Sequence, residues 1–417
     1  KICLVSAFPP SGRMLNEYGF HIARELQRDP LLSVTILADK LAGHEPELPD
    51  YDVRRVWDFN SLRNPASLLR AIHEIKPDVV WYNLLFTTFG NAHNPLAAFL
   101  GTSMPALTRM AGYYTHVTLH HLIEHVDMKD GGIRHARMYR AAGSFATRVL
   151  LMANSISVLL PAYRRTLLEK YRGENVHFRA HGILSGRPEF PDFSRRGNPE
   201  HRILALGHWG TYKRLELLME AWQEVREAIP TARLVIGGAD HPMTPGYMDS
   251  IQAQHADDTR VDFVGYVPEE KIPEVFGSST VLVMPYSSAT GASGVAHQAC
   301  EYGVPILSAD IPDFREMGND EGMAIEFYRL ADAHNLAGKL TELLSSPERQ
   351  REMAEQNFSA ALRQTMPQII QQYLRAFNLH QKRKALEPIS RFRRIPSWIP
   401  KRSTIFRAAL TKGVPWT

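Results

Sequence analysis

An α/β architecture, two parallel sheets with helices on both faces and a cleft between them, is the fold class this sequence predicts. Three observations carry it. Short apolar runs alternate with amphipathic helical stretches, the pattern of parallel strands buried on both faces. The alternation runs through two cycles, separated by a polar, proline-bearing stretch over residues 187–199 with no periodicity of its own. At 417 residues the chain is about twice the size of a single hydrophobic core, so two or three domains are expected.

The first cycle opens with a strand over residues 2–7, a loop bearing Pro9, Pro10 and Gly12, and a helix with Tyr18, Ile22 and Leu26 on one stripe. A strand over 33–37 follows, then a helix capped by Asn64 with Pro65 at its first position and ending at Ile75, and a strand over 78–82. In the second cycle strands are expected over 203–206, 233–236, 261–264, 281–284 and 305–308. Helices fall over 213–228, 247–255, 271–276 and 293–302. Several strands run into glycine-bearing loops at their carboxyl ends, where open α/β sheets bind ligands. The expected organisation is a Rossmann-like domain over 1–190, a linker over 191–200 and a second Rossmann-like domain over 201–366. A terminal helix crossing back and a basic aromatic tail fill 367–417.

Apolar residues make up 44% and charged residues 22% of the chain, and no stretch nears the roughly eighteen apolar residues of a membrane span. A hormone, a lone binding module and a disordered chain are excluded. Two cysteines, Cys3 and Cys300, are too few for a disulfide framework or a four-ligand zinc site. No secretory leader is read ahead of the first strand, so a cytoplasmic location is expected. The net charge of +4 is unevenly spread: residues 382–417 carry ten Lys and Arg against Glu387, leaving −5 on the remainder.

Two segments could carry chemistry. Residues 285–305 run from a buried strand through the small residues Gly291, Ser293 and Gly294 into a helix, so free backbone N–H groups and a positive helix end would converge where a diphosphate fits. The alternative is an ordinary tight connection. Residues 206–214 pass from a strand through Gly207, His208 and Gly210 to Lys213 and Arg214. Two cations at a helix opening run against the dipole and suggest a bound anion, or else are a solvated pair.

In these two segments, the 263–267 and 284–287 strand ends and the 299–307 run, the chain resembles the retaining glycosyltransferases of the GT-B fold, family 4, over about residues 2–373. The resemblance implies transfer of a sugar from a nucleoside-diphosphate sugar, with anomeric retention, to a polysaccharide, lipid-linked or small-molecule hydroxyl. Lys213 matches the family's diphosphate-gripping lysine, while His208 stands at the position of its arginine. The family's two glutamates, which contact sugar and ribose, fall on Thr290 and Gln298, uncharged groups able to hydrogen-bond hydroxyls. Gln298 could equally be a helix-surface amide. The resemblance further implies base contacts at Tyr266 and Val267 and phosphate contacts at Gly12, Gly291, Ser293, Gly294 and Val295. An acceptor side forms at Arg13 and Asn16, and His120 lies near the donor's primary hydroxyl. Asn16 and Glu17 could instead be capping residues, and His297 reads as packing or as support behind the site.

Charge growing on the leaving diphosphate would be met by Lys213 and backbone amides, so no cofactor and no metal are expected. The Asp50 and Asp52 pair precedes a strand, and Asp127, Asp130, Asp257 and Asp258 read as solvated. A second reading, motivated by Thr290 and Gln298, is a catalytically weakened partner-binding subunit. An epimerase would need cleft carboxylates that the sequence does not offer. The tail interleaves Arg393, Arg394, Lys401 and Arg402 with Trp398 and Ile399. It fits either peripheral contact with an anionic membrane face or packing against the acidic body. It lacks a nucleic-acid recognition fold.

Overall fold

The computed structural model describes residues 1–43, 48–91, 93–126, 136–193, 200–241, 243–288 and 291–393. The described chain falls into two compact units, Lys1–Ile370 and a C-terminal segment from Gln371. Two parallel sheets make up the first. One contains β1 (Ile2–Val5), β2 (Val34–Asp39), β3 (Asp52–Trp57), β4 (Val79–Leu84), β5 (Thr115–Leu119), β6 (Ser155–Val158) and β7 (Val176–Phe178), in the order β3-β2-β1-β4-β5-β6-β7. The other contains β8 (Arg202–Trp209), β9 (Arg233–Asp240), β10 (Val261–Gly265), β11 (Val281–Met284), β12 (Ile306–Ala309) and β13 (Ile325–Tyr328), in the order β10-β9-β8-β11-β12-β13. Every pairing is parallel.

In both sheets the chain reverses direction of assembly once, between β1 and β4 and between β8 and β11. The crevice outside the carboxyl ends of such neighbours is where this architecture takes ligands. Central strands are apolar throughout because helices cover both faces: β1, β2, β4 and β11 are buried at every position. The edge strand β3 exposes Asp52 and Arg54 instead. Four indoles anchor the two cores, and each buried N–H finds an acceptor: Trp57 on Leu37 O, Trp81 on Thr118 Oγ1, Trp209 on Gly237 O and Trp222 on Asp258 Oδ2.

The helix Asn16–Gln27 buries Tyr18, Ile22 and Leu26 as the periodicity requires. Asn64 departs from its expected capping role. Its side chain pairs with the Asp58 backbone, accepting from N at 2.9 Å and donating to O at 2.7 Å, and the helix Asn64–Ile75 starts without a side-chain cap. Asp258 is not solvated, because Trp222 and Arg226 both donate to its Oδ2 at 2.8 and 2.9 Å. Burial works against its charge, yet these bonds hold its carboxyl below the ordinary range. Asp127 and Asp130 lie outside the described residues. In the stretch read as a linker, Phe190 and Phe193 pack on Phe358 with ring centroids 5.3 and 6.1 Å away. Residues 194–199 lie outside the described part.

Candidate functional site at the two switch points

In the second sheet, β8 runs three residues past its expected end, to Trp209. The chain then turns through Gly210 and Thr211, both at positive φ (96° and 53°). Lys213 therefore lies ahead of the helix Leu215–Ala228, in an extended segment bridged to Gly210 on one side and Tyr286 on the other. This corrects the expected helix start at 213. The first turn of that helix carries the acid Glu216, in the usual sense of the dipole, so cations opposing a helix end are not the sign of an anion here.

The sign is the surroundings of the Lys213 ammonium. Its Nζ lies 4.9 Å over the Tyr286 ring and packs against Gly207. Lys213 is half-buried, and it has no ion-pair partner among the described residues. Burial draws its pKa below the ordinary lysine value, with Tyr212 acting the other way. His208 and His241 stand close enough for its charge to add to burial in pushing both imidazoles down. His208 is thus a neutral, exposed neighbour of the ammonium rather than a second cation.

The loop that starts at Tyr286 beneath Lys213 ends at the helix Gly294–Glu301. Ser293 caps that helix, its Oγ accepting from Ala296 N at 3.3 Å. The N–H groups of Gly294 and Val295 have no partner among the described residues, and they lie at the positive end of the helix. Gln298 is half-buried on the same helix, with no side-chain hydrogen bond among the described residues. Glu301 lies further along, buried, its carboxyl raised above the ordinary value by that burial. Thr290 lies outside the described residues.

From the first sheet, His120 follows the end of β5 and is buried. Its Nε2 sits 2.6 Å from Asn83 Oδ1, and the Asn83 amide in turn donates to Ser6 Oγ at 3.1 Å. Asn83 presents its acceptor oxygen, so Nε2 carries the proton and Nδ1 is left as an acceptor. Burial, with His121 beside it, pushes the His120 pKa down to about 3, so the ring is neutral at physiological pH. The two sheets meet here. A Cβ at Gly291, where φ is 111°, would collide with the His120 carbonyl oxygen, so only glycine permits this approach.

Gly12 is exposed, with nothing within 4 Å of where a Cβ would stand. Arg13 lies 4.2 Å over the Phe59 ring, its Nε 3.5 Å from the buried Asp39 carboxylate, which also accepts from Ser11 Oγ and Phe8 N. Asn16 donates to Ser11 O in the loop and accepts from Glu17 N in the first turn of its own helix. Tyr266 is exposed and Val267 half-buried at the end of β10, and the Tyr266 hydroxyl reaches 3.5 Å from Glu17 Oε1. His297 is buried and bridges Ser293 O at 2.7 Å and the buried Glu321 carboxylate at 2.9 Å, a position behind the helix start.

Sequence reasoning missed His181, just beyond β7. Its ring stands 4.7 Å from those of both Tyr18 and His297, and a Cβ placed on Gly294 would lie 3.8 Å from its Cε1. Its Nδ1 lies 2.8 Å from Gly182 O, which leaves Nε2 toward the helix start. A histidine before a glycine at a strand end was the available signal. Among the described residues no group of three His, Cys, Asp or Glu side chains could hold a metal ion, and no helix is long and apolar enough to cross a membrane.

Residues 200–346 match the family model described as glycosyl transferases group 1, the segment that carries Lys213 and the helix Gly294–Glu301. No curated protein matches the chain. Among solved structures, HepE from Anabaena in complex with UDP and glucose is 14% identical, with a TM-score of 0.65 over 91% of this chain and 99% of its own. Sucrose-phosphate synthase from Thermosynechococcus elongatus is 14% identical, with a TM-score of 0.71 over the same shares, 91% and 99%. A TarM variant from S. aureus, in complex with alpha-GlcNAc-glycerol and UDP among other ligands, is 14% identical, with a TM-score of 0.57 over 76% of this chain and 59% of its own. At such identities the likeness is one of fold, and that fold is GT-B.

Proposed function

We propose that this chain is a retaining, metal-independent glycosyltransferase of the family 4 type, moving a sugar from a nucleoside-diphosphate sugar to a hydroxyl acceptor. One observation carries the reading: at a switch point of a GT-B fold, a half-buried ammonium without a carboxylate partner among the described residues sits over Tyr286, whose loop leads to a helix start where the Gly294 and Val295 N–H groups have no partner among the described residues. The group 1 family match over residues 200–346 supports it.

The Lys213 ammonium and the Gly294 and Val295 amides would hold the donor diphosphate and meet the charge it gains as it leaves. The bond from the anomeric carbon to the diphosphate oxygen breaks, and its electron pair departs with the diphosphate. The acceptor oxygen bonds to that carbon on the same face, and its proton passes to a leaving-phosphate oxygen. His120 Nδ1 accepts from a donor-sugar hydroxyl. Backbone at Tyr266 and Val267 reads the base, and Gly291 and Ser293 line the diphosphate. Gln298 and Thr290 contact hydroxyls without charge. Gly12 approaches the donor phosphate, and Arg13 and Asn16 form the acceptor edge, kept in shape by Asp39. The working location is cytoplasmic, with residues 382–417 available for contact with an inner membrane face.

The neutrality of Gln298 favours a second reading, a weakened relative that binds a partner protein. Incubation with α-configured uridine, guanosine and adenosine diphosphate sugars and an acceptor panel, followed by proton NMR, separates the two. An α-linked product is expected. A β-linked product would overturn retention, and donor binding without transfer to any acceptor would favour the subunit reading.

A further inference from the structure

The helix Ala136–Leu150 turns one face inward, with Ala146, Thr147 and Leu150 buried. Its outer face is of two kinds. Helical periodicity sets Met138, Ala141 and Phe145 side by side along one flank and Arg137, Arg140 and Arg148 along the other. Met138 is 68% and Phe145 57% exposed, large values for such side chains. The apolar flank continues onto the neighbouring helix Pro95–Thr102, where Phe99 stacks on Phe145 at 5.5 Å and Leu96, one turn back, is 54% exposed. No carboxylate pairs with Arg137, Arg140 or Arg148 among the described residues; Arg148 lies over the Tyr171 ring and donates to Ser144 O, neither of which neutralises its charge. Although the chain holds 44 Asp and Glu, none occurs from Val79 to Ile123 or from Gly131 to Leu168.

We propose that this face docks on an anionic lipid bilayer, with Leu96, Met138 and Phe145 seated at the headgroup–acyl boundary and the three arginines on lipid phosphates. A surface needing hydrocarbon along one flank and negative charge along the other matches that boundary, and an in-plane helix with a basic flank is the form that lies in it. An acidic protein would answer only the arginines. The helix packs Gly143 against Ile123, three residues beyond His120. Docking would therefore hold the His120 end of the site close to the membrane, where a lipid-borne hydroxyl is the acceptor class within reach. This last step rests on the transfer reading, whereas the docking does not.

Flotation of the full chain with vesicles of phosphatidylcholine, alone or in equimolar mixture with phosphatidylglycerol, tests it. Binding is expected only with the anionic vesicles. The combined Arg137→Gln, Arg140→Gln and Arg148→Gln variant should bind about a hundredfold more weakly, and Met138→Ser with Phe145→Ser should lose the binding that survives high salt. Each variant must retain the wild-type circular dichroism. As a check without charge removal, Met138→Cys can be labelled selectively with an environment-sensitive dye, since Cys3 and Cys300 are buried; its emission should shift to the blue on anionic vesicles. Wild-type binding by the arginine variant, or an unshifted dye on vesicle-bound protein, would overturn the proposal. So would equal binding to the neutral vesicles. Failure of sugar transfer with intact vesicle binding would count against the transfer reading alone.

Discussion

Lys213 is a cation kept half-buried without a counter-charge among the described residues, an arrangement that costs stability in the empty protein and is repaid only when an anion arrives. Replacing it by Met keeps the aliphatic packing on Gly207 and Tyr286 and removes the charge. Lys213→Met should therefore leave the thermal midpoint of the ligand-free protein equal to or above that of the wild type. The upward shift that uridine or guanosine diphosphate gives the wild type should vanish in the variant. A large drop in the midpoint would mean that the ammonium is a structural element. His120 contrasts with Lys213 in having its one ring proton answered: Asn83, held by Ser6, fixes its tautomer, and burial keeps it uncharged. It offers a fixed acceptor atom and no proton to exchange near neutral pH.

Among the elements, the turn at Gly291 and the capped helix after it join the two sheets at the site. At φ 111° and with the His120 carbonyl where a Cβ would stand, Gly291→Val should destabilise the chain by about 2–3 kcal/mol. The fall in thermal midpoint checks this, and an unchanged midpoint would show that the lobes part easily there. Strands such as β4 and β11 were legible because burial on both faces leaves continuous apolar runs. β6 and β7 are three or four residues long and carry Ser155, Ser157 and His177, so no such run marked them. The helix after β8 was legible from Leu215, Leu218 and Trp222, but its start was not. A hairpin through Gly210 and Thr211 tucks Lys213 against Tyr286, and that bridge depends on residues distant in sequence. For the same reason the sequence pointed to Gly291 as a phosphate residue without revealing that it abuts His120, and it passed over His181.

At the scale of the two-sheet unit, helix Asn16–Gln27 of the first lobe meets the second through His21, 3.3 Å from Glu269, and through Glu17 near Tyr266. At another contact Ala162 N donates to Glu316 and Tyr163 to Asp313. These polar contacts and the His120–Gly291 approach join the two lobes, and the two parallel sheets themselves are what the length and the doubled α/β pattern predict. Calorimetric titration of uridine and guanosine diphosphate into the wild-type protein and Lys213→Met asks whether the Lys213 site takes a diphosphate. The wild type should bind at least one of the two at micromolar concentration, and the variant should lose at least about a hundredfold in affinity. Absence of binding heat with either nucleotide in the folded wild type, or equal affinity in the variant, would contradict a diphosphate site built on Lys213.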